Sequence, residues 1–188
     1  MPPREVEIKF VMDDVRALER KLRGLGFRRQ TPRTHELNTL YDLPGGVLRS
    51  RGELLRLRKY GRDWILTHKG QGRAGRHKSR VECETPVNDG EQMQGILAAL
   101  GFAPSFRYEK FRSEWSDDAG HVVLDETPIG NYGEIEGPPR WIDRTARALG
   151  ISAAHYITDS YAQLFMKWKE RTGSPAEEMT FKALRSRR

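Results

Sequence analysis

Polar and apolar residues alternate along much of this chain, and the alternation predicts strands. Residues 4–10 read Arg-Glu-Val-Glu-Ile-Lys-Phe, so that charged and apolar side chains take turns. Because successive side chains of a strand point to opposite faces, this segment has one charged face and one apolar face. Taken alone, the pattern is typical of a half-buried strand with its charges in water.

Later segments repeat this alternation, and turns join several of them into hairpins. The strands counted in this way span residues 4–10, 53–59, 64–69, 80–84, 108–115, 121–125 and 132–136. Residues 28–42 also read as a strand, and a Pro-Gly-Gly turn follows at 44–46. The chain is therefore predicted to be dominated by antiparallel sheet.

Apolar residues spaced three or four apart predict four helices between and after these strands. Their apolar positions fall at 15–25, 93–100, 141–149 and 161–168, and a glycine follows each of the first three. Asp13 or Asp14 is positioned to cap the first helix, and Thr158 or Asp159 the last. Helices interleaved with hairpins place the chain in the α+β class.

Length and composition set the limits of the architecture. The 188 residues suit one domain, predicted at 1–172, followed by a basic, flexible tail at 173–188. No segment has the apolar length of a membrane span or of a signal peptide, so we expect a cytoplasmic protein without a membrane partner. The single cysteine, Cys83, excludes an internal disulfide, and its alternation with Glu82 and Glu84 indicates packing rather than catalysis.

The net charge narrows the choice of partners. Thirty-three Lys and Arg residues against 26 Asp and Glu give a formal charge of +7, which suits a polyanion. A phosphorylated metabolite, polyphosphate and nucleic acid all meet this description, and nucleic acid is the least favoured of the three. Charge alone does not choose among them.

The charged faces of the predicted strands carry acids and bases in separate groups. The acids are Glu5, Glu7, Glu82, Glu84, Asp125, Glu134 and Glu136, and the bases are Lys9, Arg56, Arg58, Lys69, Arg80, Lys110 and Arg112. A Glu-x-Glu pair directs two like charges into one space, which costs energy unless a cation lies between them. Carboxylate oxygens without His or Cys favour Mg²⁺ or Mn²⁺.

The apolar stripes of the helices need the apolar face of the sheet, which leaves the charges on the opposite face. If the sheet curls into a barrel, we expect a wet, charged tunnel, because a dry interior holding so many ions would be unstable. A triphosphate suits such a tunnel, since its oxygens meet the bases and bridge metal ions held by the acids. A non-catalytic binding module could lose the acids, so their presence counts against it.

Seven short motifs stand in an order that resembles one family. They are Glu5-x-Glu7-x-Lys9, Leu55-Arg56-Leu57-Arg58, Leu66-Thr67-His68-Lys69-Gly70, Arg80-Val81-Glu82-Cys83-Glu84, Lys110-Phe111-Arg112, Val123-Leu124-Asp125 and Glu134-Ile135-Glu136-Gly137. Over residues 4–170 this set resembles the CYTH, or triphosphate tunnel metalloenzyme, superfamily, and most of all its class IV adenylyl cyclase and thiamine triphosphatase branch. The resemblance implies a closed tunnel of eight antiparallel strands with a charged lumen and helices outside, in which residues 28–42 supply the eighth strand.

The resemblance also implies roles for the charged residues. It implies metal ligands at Glu5, Glu7, Glu134 and Glu136, supported by Asp125, Glu82 and Glu84. It implies a triphosphate site formed by Lys9, Arg56, Arg58, Lys69, Arg80, Lys110 and Arg112. Among these charged residues, the ones assigned to catalysis are Glu5, Glu7, Lys9 and Lys69.

The implied activity is Mg²⁺- or Mn²⁺-dependent hydrolysis of tripolyphosphate, thiamine triphosphate or a nucleoside triphosphate. The first alternative is conversion of ATP to cyclic AMP and pyrophosphate. The second alternative is a non-catalytic module that binds polyphosphate or a nucleotide. The substrate, the general base and the choice between monomer and homodimer stay open. His35 is a minor candidate for proton transfer, and the glycine-rich loop at 70–76 lacks the Lys-Ser or Lys-Thr of a phosphate-binding loop.

Overall fold

Eight antiparallel strands close into a barrel in the computed structural model, which describes residues 4–73 and 75–185. They are β1 (Arg4–Val11), β2 (Arg28–Asp42), β3 (Leu54–Tyr60), β4 (Asp63–Lys69), β5 (Lys78–Val87), β6 (Ala103–Ser116), β7 (His121–Thr127) and β8 (Gly130–Glu136). Around the barrel the order is β1-β5-β4-β3-β2-β6-β7-β8, and β8 returns to β1. The predicted closed tunnel is confirmed, and residues 28–42 supply its eighth strand.

Six α-helices accompany the barrel in the described part of the chain. They are α1 (Val15–Gly24), α2 (Val47–Ser50), α3 (Gly90–Ala99), α4 (Pro139–Leu149), α5 (Tyr161–Thr172) and α6 (Phe181–Arg185). Within the described ranges, none of them combines the length and the apolar character needed to cross a bilayer.

Of the two helix caps predicted from the sequence, the first is confirmed and the second is wrong. Asp14 accepts a hydrogen bond from the backbone N–H of Ala17 and caps α1. The last predicted helix is capped by Ser160 and not by Thr158 or Asp159. Ser160 and Gln163 bond each other's backbone N–H groups, which satisfies two donors that would otherwise lack partners at the helix start.

The main apolar core lies between the outer face of the barrel and helices α1 and α4. Ile8 and Phe10 of β1 and Ile135 of β8 point outward and are buried against these helices, which contribute Leu22 and Ile142. The helix stripes therefore cover the apolar face of the sheet, as the alternation predicts. The charged face is left to the interior of the barrel.

A second apolar cluster fills one end of the barrel, and α5 is its centre. Tyr161, Leu164 and Phe165 of α5 are buried there, and the Tyr161 ring stacks on Tyr108 of β6 with 5.7 Å between ring centroids. Just before the helix, Ile157 exchanges two backbone hydrogen bonds of 2.8 Å with Lys9, beyond the point where β1 separates from β5. The helix is thereby attached to the first strand.

The outer face of the barrel around β3, β4 and β5 is less completely covered than the sequence predicts. In α3 only Leu97 of the predicted stripe is buried, while Ile96 and Leu100 are exposed. Cys83 of β5 was interpreted as a packing residue and is instead an exposed free thiol. Parity assigns a residue to the outer face of a strand, but a helix must also lie over that position to bury it.

Residues 173–185, for which the sequence predicts a flexible tail, return to the barrel. Met179 is fully buried, and its backbone exchanges hydrogen bonds of 3.0 Å with Arg107 and Glu109 of β6. The Glu109 carboxylate accepts a hydrogen bond from the backbone N–H of Phe181, the first residue of α6. Residues 186–188 of the predicted tail lie outside the described residues.

The close approach of β1 and β8 gives a testable prediction at Gly133. A Cβ atom at this position would overlap the ring of Phe10, its register partner, whereas a Cβ at Gly95 in α3 would meet nothing within 4 Å. We expect Gly133→Ala to lower the free energy of unfolding by ~1–3 kcal/mol through overpacking. Gly95→Ala should raise it by ~0.5–1 kcal/mol, because alanine favours an exposed helix.

Urea unfolding of both variants against the parent protein measures these changes. Equal stability of Gly133→Ala and the parent would show that the Phe10 ring does not pack on this glycine.

Candidate active site

The lumen of the barrel is lined by the charged side chains that occupy every second position of its strands. In the β1–β8 ladder Glu7 stands opposite Glu136 and Lys9 opposite Glu134, while Ile8 stands opposite Ile135 on the outside. Directly opposed side chains on one face lie close together, so the register determines which charges meet. Here it opposes one pair of like charges and one pair of opposite charges.

Acidic side chains are gathered where β1, β5 and β8 meet, and two of them have a raised pKa. Burial raises the pKa of Glu136 to about 7, with further contributions from the charges of Glu5 and Glu7. The pKa of Glu5 is also raised to about 7 by burial and by Glu7, although Lys69 acts in the opposite direction. In Glu7 the attraction of Lys9 and Lys78 outweighs burial and lowers the pKa to about 2. We call Glu5, Glu7 and Glu136 the acid cluster.

Lysines contact most of the carboxylates in this part of the lumen, where β1, β5 and β8 meet. Lys69 Nζ lies 2.7 Å from a Glu5 oxygen, and Lys78 Nζ lies 3.3 Å from a Glu7 oxygen. Lys9 Nζ lies 2.9 Å from Glu134. Within the described chain, no lysine nitrogen lies within 4 Å of a Glu136 carboxylate oxygen. Glu136 is therefore the least neutralised carboxylate of the acid cluster.

The acid cluster suits a hard divalent cation in its donor chemistry and in its charge. Its donors are carboxylate oxygens, and burial together with repulsion between neighbouring carboxylates raises the pKa of two of them. Among the described residues, no three Asp, Glu, His or Cys side chains are already arranged to coordinate one ion together. Lysines take up these oxygens instead, since Lys69 contacts both Glu5 and Glu82 and Lys78 contacts Glu7.

The arginines of β3 lie farther around the barrel from the acid cluster and form ion pairs with the glutamates of β5. Arg58 Nη2 donates to both carboxylate oxygens of Glu84 at 3.2 Å, and Thr67 donates to the same carboxylate at 2.8 Å. Arg56 Nη2 donates to the Thr67 hydroxyl at 3.1 Å and lies 3.9 Å from Glu82. These side chains form a connected polar wall in which two arginines meet two glutamates.

Asp125 of β7 organises the remaining bases. It accepts two hydrogen bonds of 2.7 Å from Arg112 and one of 2.9 Å from Lys110. The Tyr161 hydroxyl donates a further bond of 2.6 Å to the same carboxylate. We call Asp125, Lys110, Arg112 and Tyr161 the Asp125 group. Arg112 also donates to Glu134 at 2.7 Å, which connects this group to the charged residues of the β1–β8 ladder.

Tyr161 links the lumen to the apolar cluster around α5. The Lys9 and Lys110 ammonium groups lie 5.2 and 4.6 Å from the centroid of its ring, within the range of cation–π attraction. Burial and the Asp125 charge raise the pKa of its hydroxyl well above the usual value, so that the group stays protonated and donates. One end of the lumen is thus closed by a side chain that bonds its charged wall.

The structure brings some of the predicted site residues together and separates others. Glu5, Glu7, Glu134 and Glu136 influence one another through their charges, as expected for a shared site. Glu84 and Asp125, predicted as supporting metal ligands, accept hydrogen bonds from arginines, and their role as ligands stays a prediction. Arg80 donates to the carbonyl oxygens of Gly70 and Gly52, at the loops beside the acid cluster.

The lumen also differs from the wet tunnel that the charge count predicts. Lys110 and Asp125 are at most 1% exposed, and Lys9 is 4% exposed. Their side chains fill the interior as ion pairs and hydrogen bonds. Each of these two lysines has a carboxylate oxygen at 2.9 Å, Glu134 for Lys9 and Asp125 for Lys110, so that the buried charges neutralise one another.

Several lumen residues escaped the sequence analysis. Glu36 and Asn38 of β2 face the lumen, but register shifts between positions 29 and 34 of this strand disturb its alternation. Lys78 lies two residues before the predicted start of its strand, on the parity of Arg80, and extending the alternation would have found it. The family resemblance implies that the segment entering the last helix at Tyr161 closes or lines one end of the tunnel, but it does not imply the bond from the Tyr161 hydroxyl to Asp125.

Two features considered in the sequence lie outside the lumen. His35 is on the outer surface, 2.7 Å from Glu109, beside a surface cavity of about 530 Å³ that Phe111 and Phe181 also line. The glycine-rich loop is held to α4, because His77 and Arg76 contact Asp143 at 3.0 and 3.2 Å. It leads into a strand and not into a helix, so it is not a phosphate-binding loop.

Comparison with known proteins identifies a family and relatives of similar length. The family model described as the CYTH domain matches residues 3–161. A protein of Methanocaldococcus jannaschii that bears the provisional name adenylate cyclase is 27% identical over 171 residues, which cover 85% of this chain and 97% of that protein.

Solved structures share the fold. A protein from Vibrio parahaemolyticus, also provisionally named an adenylate cyclase, has a TM-score of 0.79 at 20% identity and covers 88% of this chain and 99% of its own. A Hippeastrum protein, provisionally named an adenylyl cyclase and described as having a dominant triphosphatase activity, has a TM-score of 0.65 at 18% identity. The match covers 87% of this chain and 95% of that one. At these identities the structural similarity shows the fold.

The Asp125 group gives a prediction about stability. Asp125→Asn leaves the buried cations of Lys110 and Arg112 without their shared anion, and we expect a loss of ~3–5 kcal/mol in the free energy of unfolding. The control is Asp118→Asn, which removes the acid of an exposed pair with Arg28 and should cause no measurable change. Urea unfolding of the two variants tests the difference, and similar stabilities would contradict a central role for Asp125.

The raised pKa values of Glu5 and Glu136 predict how stability depends on pH in the metal-free protein. Both lie near 7 in the folded protein, above the ordinary value of 4.5. Between these values the folded state binds more protons than the unfolded state, so the free energy of unfolding falls as pH rises. We expect urea unfolding in EDTA to show greater stability at about pH 5.5 than at about pH 8.

Glu136→Gln should remove part of this pH dependence, because the amide does not titrate. Stability that increases over the same interval, in the parent protein with EDTA present, would contradict the assignment.

Proposed function

This chain belongs to the CYTH domain family, whose model spans residues 3–161, and we propose that it is a divalent-metal-dependent enzyme that hydrolyses a triphosphate in its lumen. The family is in general one of metal-dependent tunnel enzymes. Relatives carry adenylate cyclase names, and one is described as having triphosphatase activity. These names support a nucleotide or other triphosphate as the class of substrate.

The observation that carries the proposal is the separation of charge along the lumen. The acid cluster has two carboxylates, Glu5 and Glu136, whose pKa is raised by burial and then by neighbouring carboxylates, whereas the wall around Arg58, Lys110 and Arg112 is rich in cations. A triphosphate with a divalent cation matches both parts, because its oxygens are anionic and the cation neutralises the excess carboxylates. A simple anion-binding protein would have no need of the acid cluster.

The residues that would hold the metal are Glu5, Glu7, Glu134 and Glu136. Oxygen donors without His or Cys are the set preferred by Mg²⁺ and Mn²⁺. When bound, such an ion neutralises phosphate oxygens and lowers the pKa of a coordinated water. Lys69 and Lys78, which contact Glu5 and Glu7, stand beside the residues that would hold the ion and can donate to phosphate oxygens bound there.

The bases position the substrate. Arg56, Arg58, Lys110 and Arg112 present N–H groups from several strands, so they can hold successive phosphates in one orientation. Lys9, directly opposite Glu134, lies between the acid cluster and the Asp125 group and can contact the phosphate nearest the metal. Because these side chains are already oriented by ion pairs, little rearrangement is needed when charge develops in the transition state.

Cyclisation of ATP is the second candidate, and the adenylate cyclase names of two relatives favour it. Cyclisation forms a bond between the ribose 3′ oxygen and the α-phosphate and expels pyrophosphate, whereas hydrolysis of the terminal phosphate consumes water and releases phosphate. The same lumen could hold the triphosphate for either reaction. The products therefore distinguish the two.

A product-resolved assay tests the function. Purified protein is supplied with Mg²⁺ or Mn²⁺ and, separately, with tripolyphosphate, thiamine triphosphate and ATP, and phosphate, pyrophosphate and cyclic AMP are quantified. We expect phosphate release from at least one substrate, its loss in EDTA and its return when the metal is restored. Cyclic AMP with matching pyrophosphate would assign the cyclase activity instead, and no product from any substrate would overturn the proposal.

The metal ligands are tested by a matched pair of variants. We expect Glu136→Gln to lower kcat by on the order of a hundredfold and to weaken the apparent affinity for metal, since one carboxylate ligand is lost. Glu126→Gln makes the same chemical change at an outer carboxylate that pairs with Arg33, and should leave kcat unchanged. Equal rates for both variants would remove Glu136 from the metal site.

A further inference from the structure

Glu36 is a buried acid in the middle of the predicted triphosphate-binding bases. It is 0% exposed and stands opposite Lys110 in the β2–β6 ladder. Lys110 Nζ lies 3.5 Å from one of its oxygens, and Arg58 Nη1 and Arg112 Nε each lie 3.8 Å from the other. Three cations therefore surround a carboxylate that the family resemblance did not single out.

The contacts of Glu36 with these cations are electrostatic and lack hydrogen bonds. Its Oε1 accepts a hydrogen bond of 2.8 Å from Asn38, whereas its Oε2 has no hydrogen-bond partner among the described residues. The Asn38 Oδ1 and the Arg58 Nε beside it are also buried and lack partners in the same part of the structure. Buried polar atoms without partners are rare, and here they occur together at a wall that faces the lumen.

Asp125 provides the contrast. It receives short hydrogen bonds from Lys110 and Arg112 and so fixes their positions. Glu36 lies beyond hydrogen-bonding distance of the same two cations and neutralises charge without using their N–H groups. The N–H groups that Asp125 does not occupy can therefore bond an incoming phosphate oxygen, while Glu36 still reduces the net positive potential that this oxygen meets.

Proton transfer does not account for Glu36. Burial alone would raise its pKa, but Lys110, Arg112 and Arg58 outweigh burial and hold the pKa far below the usual range. A carboxylate that stays ionised at every physiological pH is a poor proton acceptor. Its chemistry in the lumen is that of a permanent negative charge.

We propose that Glu36 is a positioning residue that limits the affinity of the lumen for phosphate anions. It orients Arg58, Lys110 and Arg112 by charge and lowers their combined attraction, so that the phosphate products can leave. The residue acts through these bases and need not touch the substrate. The inference rests on the proposed function, because it concerns the same phosphate-binding bases.

Two nearly isosteric substitutions that change the charge of the site in opposite directions test the proposal. Glu36→Gln removes a negative charge from the group of three cations, and Asn38→Asp adds one beside it. The probes are tripolyphosphate and pyrophosphate, titrated calorimetrically in EDTA, so that neither metal nor turnover contributes. Glu126→Gln on the outer surface repeats the charge change of Glu36→Gln and controls for the net charge of the protein.

We expect Glu36→Gln to bind both anions at least about tenfold more tightly and Asn38→Asp at least about tenfold more weakly, because the potential at the bases rises in one and falls in the other. Glu126→Gln should stay within about twofold of the parent, since its charge lies outside the barrel and is screened. In turnover, Glu36→Gln should show a lower KM, a lower kcat and stronger inhibition by pyrophosphate.

Unchanged or weaker anion binding by folded Glu36→Gln would overturn the proposal, since a purely structural residue has no reason to tighten binding when removed. If Glu36→Gln does not fold, Asn38→Asp alone tests the proposal. Unchanged or tighter anion binding by folded Asn38→Asp would overturn it. If the parent binds the anions but hydrolyses no triphosphate, the proposed function fails while the affinity changes still test Glu36. If the parent binds neither anion, the phosphate-binding site itself is absent and the inference falls with it.

Discussion

The structure depends on one constraint, which is that a charge enclosed by a closed barrel needs a partner. Removing ions from water is costly, and only near and well-oriented counter-ions offset the cost. Register supplies these partners, since Arg112 stands opposite Asp125 and Lys9 opposite Glu134. Register in turn depends on the outer apolar face, because a slip by one residue would exchange the two faces of a strand. The apolar core outside the barrel thus determines which charges meet inside it.

The proposed metal site lies where this pairing of charges is incomplete. Glu7 and Glu136 are opposed like charges, and burial together with repulsion raises the pKa of Glu136. Asp125 is the opposite case, because its oxygens are fully used by Arg112, Lys110 and Tyr161. In the proposed function, Glu136 therefore binds an external cation, whereas Asp125 maintains the geometry of the bases. Residues of the same chemical type have different roles because their neighbours differ.

The two ends of the lumen also differ. Tyr161 closes one end, where its ring belongs to an apolar cluster and its hydroxyl bonds Asp125. Glu5 lies four residues before Lys9 on β1, about 13 Å away along the strand and away from α5. A phosphate chain held by the bases between them would have a closed aromatic end on one side and the acid cluster on the other. The helix that completes the fold thereby also gives the lumen a direction.

The sequence by itself determined the faces of the strands, because a period of two residues is local and survives in the alternation of residues 4–10 and 132–136. It also placed the α1 stripe and, through the resemblance, the closed barrel. Tertiary structure alone decided which charges pair, since Glu36 meets Lys110 only through ladders between distant strands. It decided likewise that Cys83 is exposed and Met179 buried. Pairing and burial depend on what lies across a strand or over it, and the order of residues along one strand does not contain that information.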